Sequence, residues 1–512
     1  MPEVTNNKTI AKNTVYLYFR MLFSMVISLY TSRVVLQVLG INDFGIYQAV
    51  GGVITLLSFV NGALATGSSR FLTFELGTGN TQKLKETFST VLLVHITLAI
   101  LVSIVAETIG LWFVYNKLHI SPERLDAAIL VYHLSIITAF FTITQVPYNA
   151  SIISHEKMNI YAYMSLIEVS LKLAIVYILQ FGSIDKLKLY ASLLCLVQIS
   201  ITVYYRYFCI KNFSETRFRL IFRKRILSDV LNYSGWNLIA NVSHALNNQG
   251  ATILINMFFS PAVVSARAIA NQVNMAANQF IGNFRTAANP QIVKKLASND
   301  IEGSQSLLLA STKFSYYLML LLCLPICLVT KELLEIWLNV VPDYTVDFVQ
   351  LTIITSMFQV FDTSFYTALY AKGRIKENAL ICPTLGILVF PIVWVMFKYN
   401  FSPICLAWAL MVHYAINGLL VKPLLINKIA GYSWKGIFTV YSDCLKVTIW
   451  AMPLPLVFNY YCRMYFNNIY IVLLSVSLFS IMSVSLVVWC VGMNKQMRNK
   501  VIYTIRRKLK NE

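Results

Sequence analysis

Charged residues are scarce in this chain. They make up 12% of its 512 residues, against the roughly 25% that is typical of a soluble globular protein. Hydrophobic residues make up 57%, and the mean hydropathy is +0.64. So few ionic groups cannot cover a surface that faces water, which excludes the soluble, disordered and fibrous classes. Because a spanning helix needs about 20 apolar residues and many such stretches are present, the composition predicts an all-α polytopic membrane protein.

The chain also lacks the short motifs that mark metal sites, redox sites and hydrolytic enzymes. Its nine cysteines form no Cys-x-x-C pair and no cluster with histidine, so we interpret them as small apolar fillers within helices. No Walker motif, no His-Glu-x-x-His sequence and no nucleophile elbow is present. The sequence therefore predicts a protein that is not an enzyme and that needs neither a cofactor nor a metal.

Hydropathy divides the chain into fourteen apolar segments that are long enough to cross a bilayer. Turn-forming sequences separate them, and one of the clearest is residues 40–43 between the first segment and the second. The predicted membrane helices cover residues 13–39, 44–70, 86–115, 126–150, 158–180, 187–209, 229–258, 263–291, 306–330, 345–371, 378–398, 402–425, 443–462 and 467–491.

The distribution of basic residues gives the predicted orientation. Lysine and arginine number 42 against 22 acidic residues. With the amino terminus inside, 29 basic residues fall in or beside cytoplasmic segments and 7 in outer loops. Because basic residues mark cytoplasmic loops, this bias predicts that both termini are cytoplasmic. It also accounts for the basic balance without a nucleic-acid partner.

A cytoplasmic segment with seven basic residues, 206–225, marks the best internal boundary. It predicts an amino-terminal lobe of six helices (1–215), a carboxy-terminal lobe of six helices (216–430), and two additional helices with a basic tail (431–512). Each lobe has an even number of spans, so both lobes share one orientation. That is the arrangement of a parallel repeat about an axis normal to the membrane.

The eighth predicted helix carries a polar stripe whose members follow one another at steps of three and four. They are Arg267, Asn271, Asn274, Asn278, Gly282, Arg285 and Asn289. The seventh predicted helix repeats the pattern with Asn237, Asn241, His244, Asn248, Thr252 and Asn256. Two complete stripes are more than a packed helix interface needs, and such residues rarely face lipid. We therefore expect both stripes to border a water-filled cavity that binds the substrate.

The first half of the chain has weaker stripes of small polar residues. They include Arg20, Ser24, Ser28 and Thr31 on the first predicted helix, and Gln48, Gly52, Thr55 and Thr66 on the second. Small residues also permit close packing of helices, so a packed interface and a cavity wall are equally expected here.

The arginines within the predicted helices indicate the charge of the substrate. Arg33, Arg267 and Arg285 have no acidic neighbour at helical spacing in their own helices. Because a charge at the centre of a membrane helix costs roughly 3 kcal/mol, its retention indicates use or pairing. Guanidinium groups bind phosphates bidentately, which favours an anion such as pyrophosphate. Arg20 and Arg70 are predicted at the inner mouth, where snorkelling is the alternative explanation.

Three other ionisable residues are candidates for energy coupling. Glu168 and Lys172 lie one turn apart and can neutralise each other, so a structural pair is favoured over a role in transport. Asp362 has no charged neighbour in the tenth predicted helix. It could titrate during transport or pair with one of the arginines, and the sequence leaves both interpretations open.

Three stretches of this chain, residues 13–20, 32–48 and 67–71, carry a resemblance to a known family. They resemble the opening of bacterial Wzx-like polysaccharide flippases, which belong to the multidrug/oligosaccharidyl-lipid/polysaccharide (MOP) exporter superfamily. The Leu-Gly-x-x-x-Phe-Gly sequence at residues 39–45 is the most specific of them. The resemblance continues through the asparagine-rich seventh and eighth predicted helices and covers nearly the whole chain.

The resemblance implies a two-lobed, MATE-like fold around a central cationic cavity. It implies that the protein moves undecaprenyl-pyrophosphate-linked oligosaccharides from the inner to the outer leaflet of the bacterial inner (cytoplasmic) membrane by alternating access, for surface polysaccharide or lipopolysaccharide synthesis. Arg33, Arg267 and Arg285 match the cavity arginines that grip the pyrophosphate. The expected partners are the lipid-linked glycan, membrane lipids, and a polysaccharide polymerase or other assembly proteins.

Two departures and two alternatives accompany the resemblance. The first predicted helix lacks the Arg-Asp pair of peptidoglycan-precursor flippases, and it has no acid before Asp43. The second departure counts against a MATE-type antiporter for drugs or cations, which would depend on Asp362 or Glu168. A membrane-embedded glycosyltransferase or polymerase would need a large acidic outer loop, and the richest one, around residues 332–347, is small.

Overall fold

A computed structural model provides the structure of the protein. It describes residues 2–57, 59–155, 157–181, 185–217, 223, 242, 245–297, 300–338, 340–372, 376–493, 495 and 498–499. Throughout these ranges the regular elements are helical, as predicted. The chain divides into two compact units, residues 1–268 and 269–512. The three-part division expected after residues 215 and 430 stays a prediction.

The first unit contains eight α-helices and the beginning of a ninth within the described residues. They are α1 (Pro2–Leu57), α2 (Phe59–Thr78), α3 (Thr81–Val105), α4 (Leu111–Lys117), α5 (Leu125–Ser154), α6 (Met158–Ile178), α7 (Lys186–Asn212), α8 (Ala251–Phe258) and the start of α9 (Pro261–Ala297).

The second unit holds the rest of α9 and nine further helices in its described part. They are α10 (Ile301–Leu328), α11 (Thr330–Leu338), α12 (Thr345–Ala371), α13 (Lys376–Lys398), α14 (Cys405–Ile416), α15 (Lys422–Ala430), α16 (Trp434–Ala451), α17 (Pro453–Tyr465) and α18 (Ile469–Val487).

Within the described residues, each of the fourteen predicted segments coincides with helical structure, and the segment 345–371 matches α12 residue for residue. The predicted break after the first segment is confirmed: α1 is interrupted at Gly40, which adopts φ 81° and ψ 167°. A positive φ is open to glycine at little steric cost, so the turn occurs where the sequence predicts it. Of the segment 229–258, the described part is residue 242 and residues 245–258.

Two features differ from the hydropathy prediction. The stretch after residue 330, expected to be an outer loop, begins with the short amphipathic helix α11. The single segment predicted over 443–462 consists of α16 and α17, which meet at Met452 beside Pro453. Proline lacks a backbone N–H and is well placed at the first position of a helix, so it starts a second helix here.

Four stretches of π-helix interrupt the α-helices of the described chain. They are Ala106–Gly110, Leu246–Gly250, Asn417–Val421 and Val488–Gly492. A π-turn inserts one extra residue into a helix and leaves the backbone pattern locally out of register. Such an insertion has no signature in hydropathy, so the sequence did not predict these turns.

The protein is a multi-pass membrane protein. In its described part, eight helical stretches are long and apolar enough to cross a bilayer by length and composition. The helix α9 is not among them because its polar stripe lowers its hydropathy. Large apolar side chains are exposed along many helices, for example Phe74, Trp450 and Leu474, at 61–66% of their accessible area. Apolar exposure on this scale suits a surface that faces lipid.

Each unit has its own apolar core. In the first unit, α5 packs against α7, α3 and α2, and a cluster around Phe88, Tyr148 and Tyr205 fills the space between these helices. In the second unit, α12 packs against α10 and α14, while α10 also contacts α16 and α18. Phe348 and Phe365 on α12 are fully buried. The helix α12 is therefore packed on several sides within the second unit.

Candidate functional site

A cavity of about 330 Å³ lies within the first unit. Its walls come from the second half of α1, from α5 and α7, and from the π-turn at residues 246–250. Gln48, Gly52 and Thr55, which form part of the polar stripe predicted on the second helix, line it. Hydroxyl and amide groups from Ser135 and Gln249 face the same space. This stripe therefore lines a cavity rather than only a packed interface.

Arg267 belongs to the first unit and is nearly inaccessible, with 3% of its surface exposed. Its Nη2 donates a hydrogen bond of 3.0 Å to the backbone carbonyl of Asn247, inside the π-turn. A π-turn displaces carbonyl groups from their usual helical partners, and a guanidinium is a suitable donor for one of them. Asn248 and Arg33 are half-buried. In this structure the Arg267 guanidinium thus contacts the backbone.

In the second unit, the stripe on α9 forms a ladder of hydrogen bonds with α12. Ser356 donates to the side-chain oxygen of Asn274 at 2.5 Å, and the amide of Asn278 donates to Ser356 and to Gln359, each at 3.2 Å. At the other end, Thr367 donates to Asn289 at 3.3 Å. The bonded positions follow steps of three, four or seven residues, so each helix uses one face, over about four turns of α9 and about three turns of α12.

Arg285 is the charged member of this ladder. Its Nη1 donates a hydrogen bond to the hydroxyl of Thr363 on α12. The guanidinium is half-buried, and Nε makes no hydrogen bond. About five helical turns separate Arg267 from Arg285 along α9. One phosphate group therefore cannot contact both arginines at once, and Arg285 is the arginine of this stripe whose guanidinium bonds to α12.

Asn271, Asn274, Asn278 and Gly282 are half-buried, whereas Met275 and Phe280 on another face of α9 are 61% and 47% exposed. The polar face is thus more protected than the face of Met275 and Phe280, but less than the apolar face of Val273 and Ile281, which is buried. The ladder to α12 satisfies only some of the polar atoms on the polar face. That this face also borders water stays a prediction.

The structure gives both candidate coupling groups a partner. Lys172 donates to Glu168 at 2.6 Å on α6, which is the structural pair that the sequence favours. Asp362 does not stand alone: the Nζ of Lys422 lies 3.3 Å from its Oδ1. Lys422 is one of the 29 basic residues that are predicted in or beside cytoplasmic segments, yet only 4% of its side chain is exposed. It is a buried partner of α12.

Part of the predicted site lies outside the described residues. Asn237, Asn241 and His244 lie outside the described residues, and so do the side chains of Arg20 and Arg70. Most of the basic tail after residue 494 also lies outside them.

Two parts of the site were missed by sequence reasoning. One is the set of hydroxyl and amide residues on α12 that completes the ladder. Ser356, Gln359, Thr363 and Thr367 follow the same steps of three and four, so a polar stripe on the tenth predicted helix was the available signal. The other is Lys422, whose burial beside Asp362 had no signal, since the two residues lie 60 positions apart in the sequence.

No family model matches the sequence, and no curated protein matches it. Solved structures do match its fold. A MATE family multidrug resistance transporter of the MOP superfamily, in an inward-facing conformation, superposes with a TM-score of 0.67 at 14% identity, over 82% of this chain and 99% of that one. The lipid II flippase MurJ, in an inward closed conformation, also gives 0.67 at 14% identity, over 92% of this chain and 98% of that one.

A third match is a MOP superfamily transporter from Pyrococcus furiosus, with a TM-score of 0.58 at 13% identity over 83% of this chain and 97% of that one. At these identities the likeness concerns the fold alone. The chain thus has the fold of MOP superfamily transporters, and these fold neighbours are transporters and flippases rather than enzymes.

Proposed function

We propose that the protein is a flippase for a polyprenyl-pyrophosphate-linked oligosaccharide that serves surface polysaccharide synthesis. The observation that carries the proposal is Arg285, a guanidinium half-buried within a row of amides and hydrogen-bonded to a neutral hydroxyl. A guanidinium in such surroundings binds phosphate oxygens bidentately. The neighbouring amides, Asn274 and Asn278, offer both donors and acceptors for sugar hydroxyls.

The fold supports the same class of substrate. MurJ has this fold, and its name describes it as a flippase for lipid II. The apolar side chains Met275, Phe280 and Phe284 are exposed on α9, next to the polar face. A polyprenyl tail could remain against such apolar surface while the head group meets the polar one. Alternating access around a cationic cavity, as the resemblance implies, would complete the transport cycle.

A MATE-type antiporter for drugs or cations is the second candidate, because MATE transporters share the fold at the same TM-score. A cation carrier needs an accessible carboxylate. Asp362, the carboxylate that the sequence offers for this purpose, has Lys422 as a counter-ion. This contact favours the flippase over the antiporter.

Transport by purified protein in liposomes tests the proposal. A fluorescent polyprenyl-pyrophosphate-linked oligosaccharide is placed in one leaflet, and its arrival in the other is measured by quenching. We expect Arg285→Ala to lower the initial rate about tenfold or more, because charge-assisted hydrogen bonds contribute about 1.5–3 kcal/mol each. Arg285→Lys should retain part of the rate, since it keeps the charge but loses the bidentate geometry.

Arg463→Ala is the matched control. Arg463 also belongs to the second unit, but it pairs with Glu332 at 2.9 Å at the end of α17. Its loss should leave the transport rate unchanged. An undiminished rate for correctly inserted Arg285→Ala would contradict the proposal, and extrusion of cationic dyes that depends on Asp362 would establish the antiporter instead.

The proposed setting is a bacterial cytoplasmic membrane with both termini inside. The excess of basic residues in the predicted inner segments supports this orientation. Reporter fusions at the two termini test it, since a phosphatase fusion active at either end would contradict the orientation. A polysaccharide polymerase or other assembly proteins are the proposed partners, and cross-linking in cells tests for them.

A further inference from the structure

A buried lysine lies among three partners in the second unit. The Nζ of Lys422 donates a hydrogen bond of 2.5 Å to the side-chain oxygen of Asn378 on α13. It lies 3.3 Å from Oδ1 of Asp362 and 5.1 Å from the centre of the Tyr366 ring, both on α12. Lys422 itself begins α15. The ammonium group therefore joins three helices.

In this arrangement the Lys422 ammonium has more polar partners than the Asp362 carboxylate oxygen that faces it. Asn378 is 7% exposed and the Lys422 side chain 4%, so the ammonium is held by a carbonyl, a carboxylate and an aromatic face in place of water. Oδ1 of Asp362 makes the ion pair without hydrogen-bond geometry. The Asp362 carboxylate is thus electrostatically paired but loosely held.

The backbone brings Lys422 to this place. The π-turn Asn417–Val421 directly precedes α15 and adds one residue to the helix before the lysine. At Gly418 a Cβ atom would lie 2.7 Å from the backbone oxygen of Phe358 on α12, so the two helices touch backbone to backbone. Tyr441 donates a hydrogen bond of 2.7 Å to the carbonyl of Gly418. The turn and the close approach together direct Lys422 toward α12.

The adjacent side of α12, about 100° around the helix, carries the contact to Arg285, the residue of the proposed anion site. Thr363, which follows Asp362 directly in the chain, accepts the hydrogen bond from Arg285 on α9. Arg285 also lies within electrostatic range of Asp362. Two cations, Lys422 and Arg285, therefore share the Asp362 carboxylate. Because Lys422 forms the ion pair with it, the negative charge of Asp362 cancels less of the positive potential at Arg285.

We propose that Lys422 is a positioning residue for the anion site: by pairing with Asp362 it prevents that carboxylate from neutralising Arg285. Arg285 then keeps its positive charge for the phosphates of the lipid-linked head group. The inference rests on the proposed role of Arg285 and extends it to a residue that does not contact the substrate. Removing Lys422 should turn Asp362 into a competitor of the phosphate for Arg285.

Charge-paired variants test this inference in the full-length protein, with inorganic pyrophosphate as the binding probe and the liposome assay for transport. Lys422→Met should weaken pyrophosphate binding and slow transport by about tenfold, the order expected when a nearby carboxylate is no longer compensated. Adding Asp362→Asn should restore most of both, because it removes the competing charge. Lys422→Arg should stay close to the unaltered protein.

The control pair is Lys313 and Asp443, which lie 3.2 Å apart between α10 and α16. Lys313→Met, with or without Asp443→Asn, should not change pyrophosphate binding. Should Lys422→Met fail to fold, Asp362→Asn alone decides: the inference expects pyrophosphate binding equal to or tighter than that of the unaltered protein.

The outcomes separate the two proposals. If Lys422→Met binds pyrophosphate normally, if the double variant is as weak as the single one, or if Asp362→Asn alone abolishes transport, the inference is wrong and Asp362 acts in another way. If Arg285→Ala binds pyrophosphate normally, the proposed anion site itself is wrong, whatever the Lys422 variants do.

Discussion

Ser356 on α12 donates a hydrogen bond of 2.5 Å to the side-chain oxygen of Asn274 on α9. This contact is the first step of the ladder that Asn278, Arg285 and Asn289 continue. Hydrogen bonds between membrane helices contribute modestly, about 0.6 kcal/mol each on average. The ladder therefore orients α9 more than it stabilises it, and it leaves part of the polar face for a ligand or for water.

Thiol labelling along α9 tests whether that face is hydrated. In a background that lacks the nine native cysteines, we expect Asn271→Cys and Gly282→Cys to react with a charged, membrane-impermeant maleimide. Met275→Cys should stay unreactive although Met275 is 61% exposed, because its surroundings are apolar and lipid excludes the reagent. A small lipophilic maleimide that labels all three positions controls for reactivity. If positions 271 and 282 resist the charged reagent, the polar face is dry and serves only as a ladder.

Sequence reasoning was most successful where a single helix decides the outcome. Hydropathy located α12 residue for residue, and the turn at Gly40 followed from one glycine in the right place. The stripe on α9 was also readable, since the steps of three and four belong to one helix. These properties are local, so no partner helix is needed to recognise them.

The missed features depend on contacts between distant residues. The interpretation of Lys422 as a cytoplasmic flank relied on its nearness to a predicted loop, whereas its burial depends on Asp362 and Asn378 in other helices. The π-turn before it changes which way the lysine points without changing the composition. A single sequence does not record which helices pack together, so neither feature was open to prediction.

The Leu-Gly-x-x-x-Phe-Gly sequence has a physical explanation at its last residue. A Cβ atom at Gly45 would lie 1.9 Å from the backbone oxygen of Pro261, the first residue of α9. No side chain can be accommodated there without moving the backbone.

We expect Gly45→Ala to destabilise the protein by about 3 kcal/mol, the upper end of the cost of overpacking. The measurement is the thermal unfolding temperature in detergent, which should be lower in this variant. Gly51→Ala is the control, since a Cβ atom added at Gly51 would meet no neighbouring side chain or helix within 4 Å. Equal melting temperatures for the two variants would contradict this explanation.

Arg124 joins two carboxylates from different parts of the first unit. Its Nε donates to Asp43, in the turn of α1, at 2.9 Å, and its Nη1 donates to Asp185, which precedes α7, at 2.6 Å. The three side chains are 18–29% exposed. Burial alone would raise the pKa of Asp185, but hydrogen bonds from Arg124 and from the backbone of Lys188, with the charge of Arg124, hold that pKa below its usual value.

The lowered pKa of Asp185 predicts that the stability this residue contributes is lost in acid. The pKa of Asp185 is lower in the folded protein than in the unfolded chain, where it is about 3.9. The contribution of Asp185 to the free energy of unfolding is therefore complete above that pH, and it is lost as the pH falls through the pKa of the folded protein. Arg124→Met should lower the free energy of unfolding by about 2 kcal/mol at pH 7, where hydrogen bonds to both carboxylates are lost. In this variant the unfolding temperature should also fall less steeply between pH 5 and pH 3 than in the unaltered protein. Melting curves in detergent at each pH measure this. Lys188→Met serves as the comparison, since its partner Asp126 is 87% exposed and such pairs contribute little. A variant at position 124 that melts with the same pH profile as the unaltered protein would show that the Arg124 pairs do not stabilise the folded unit.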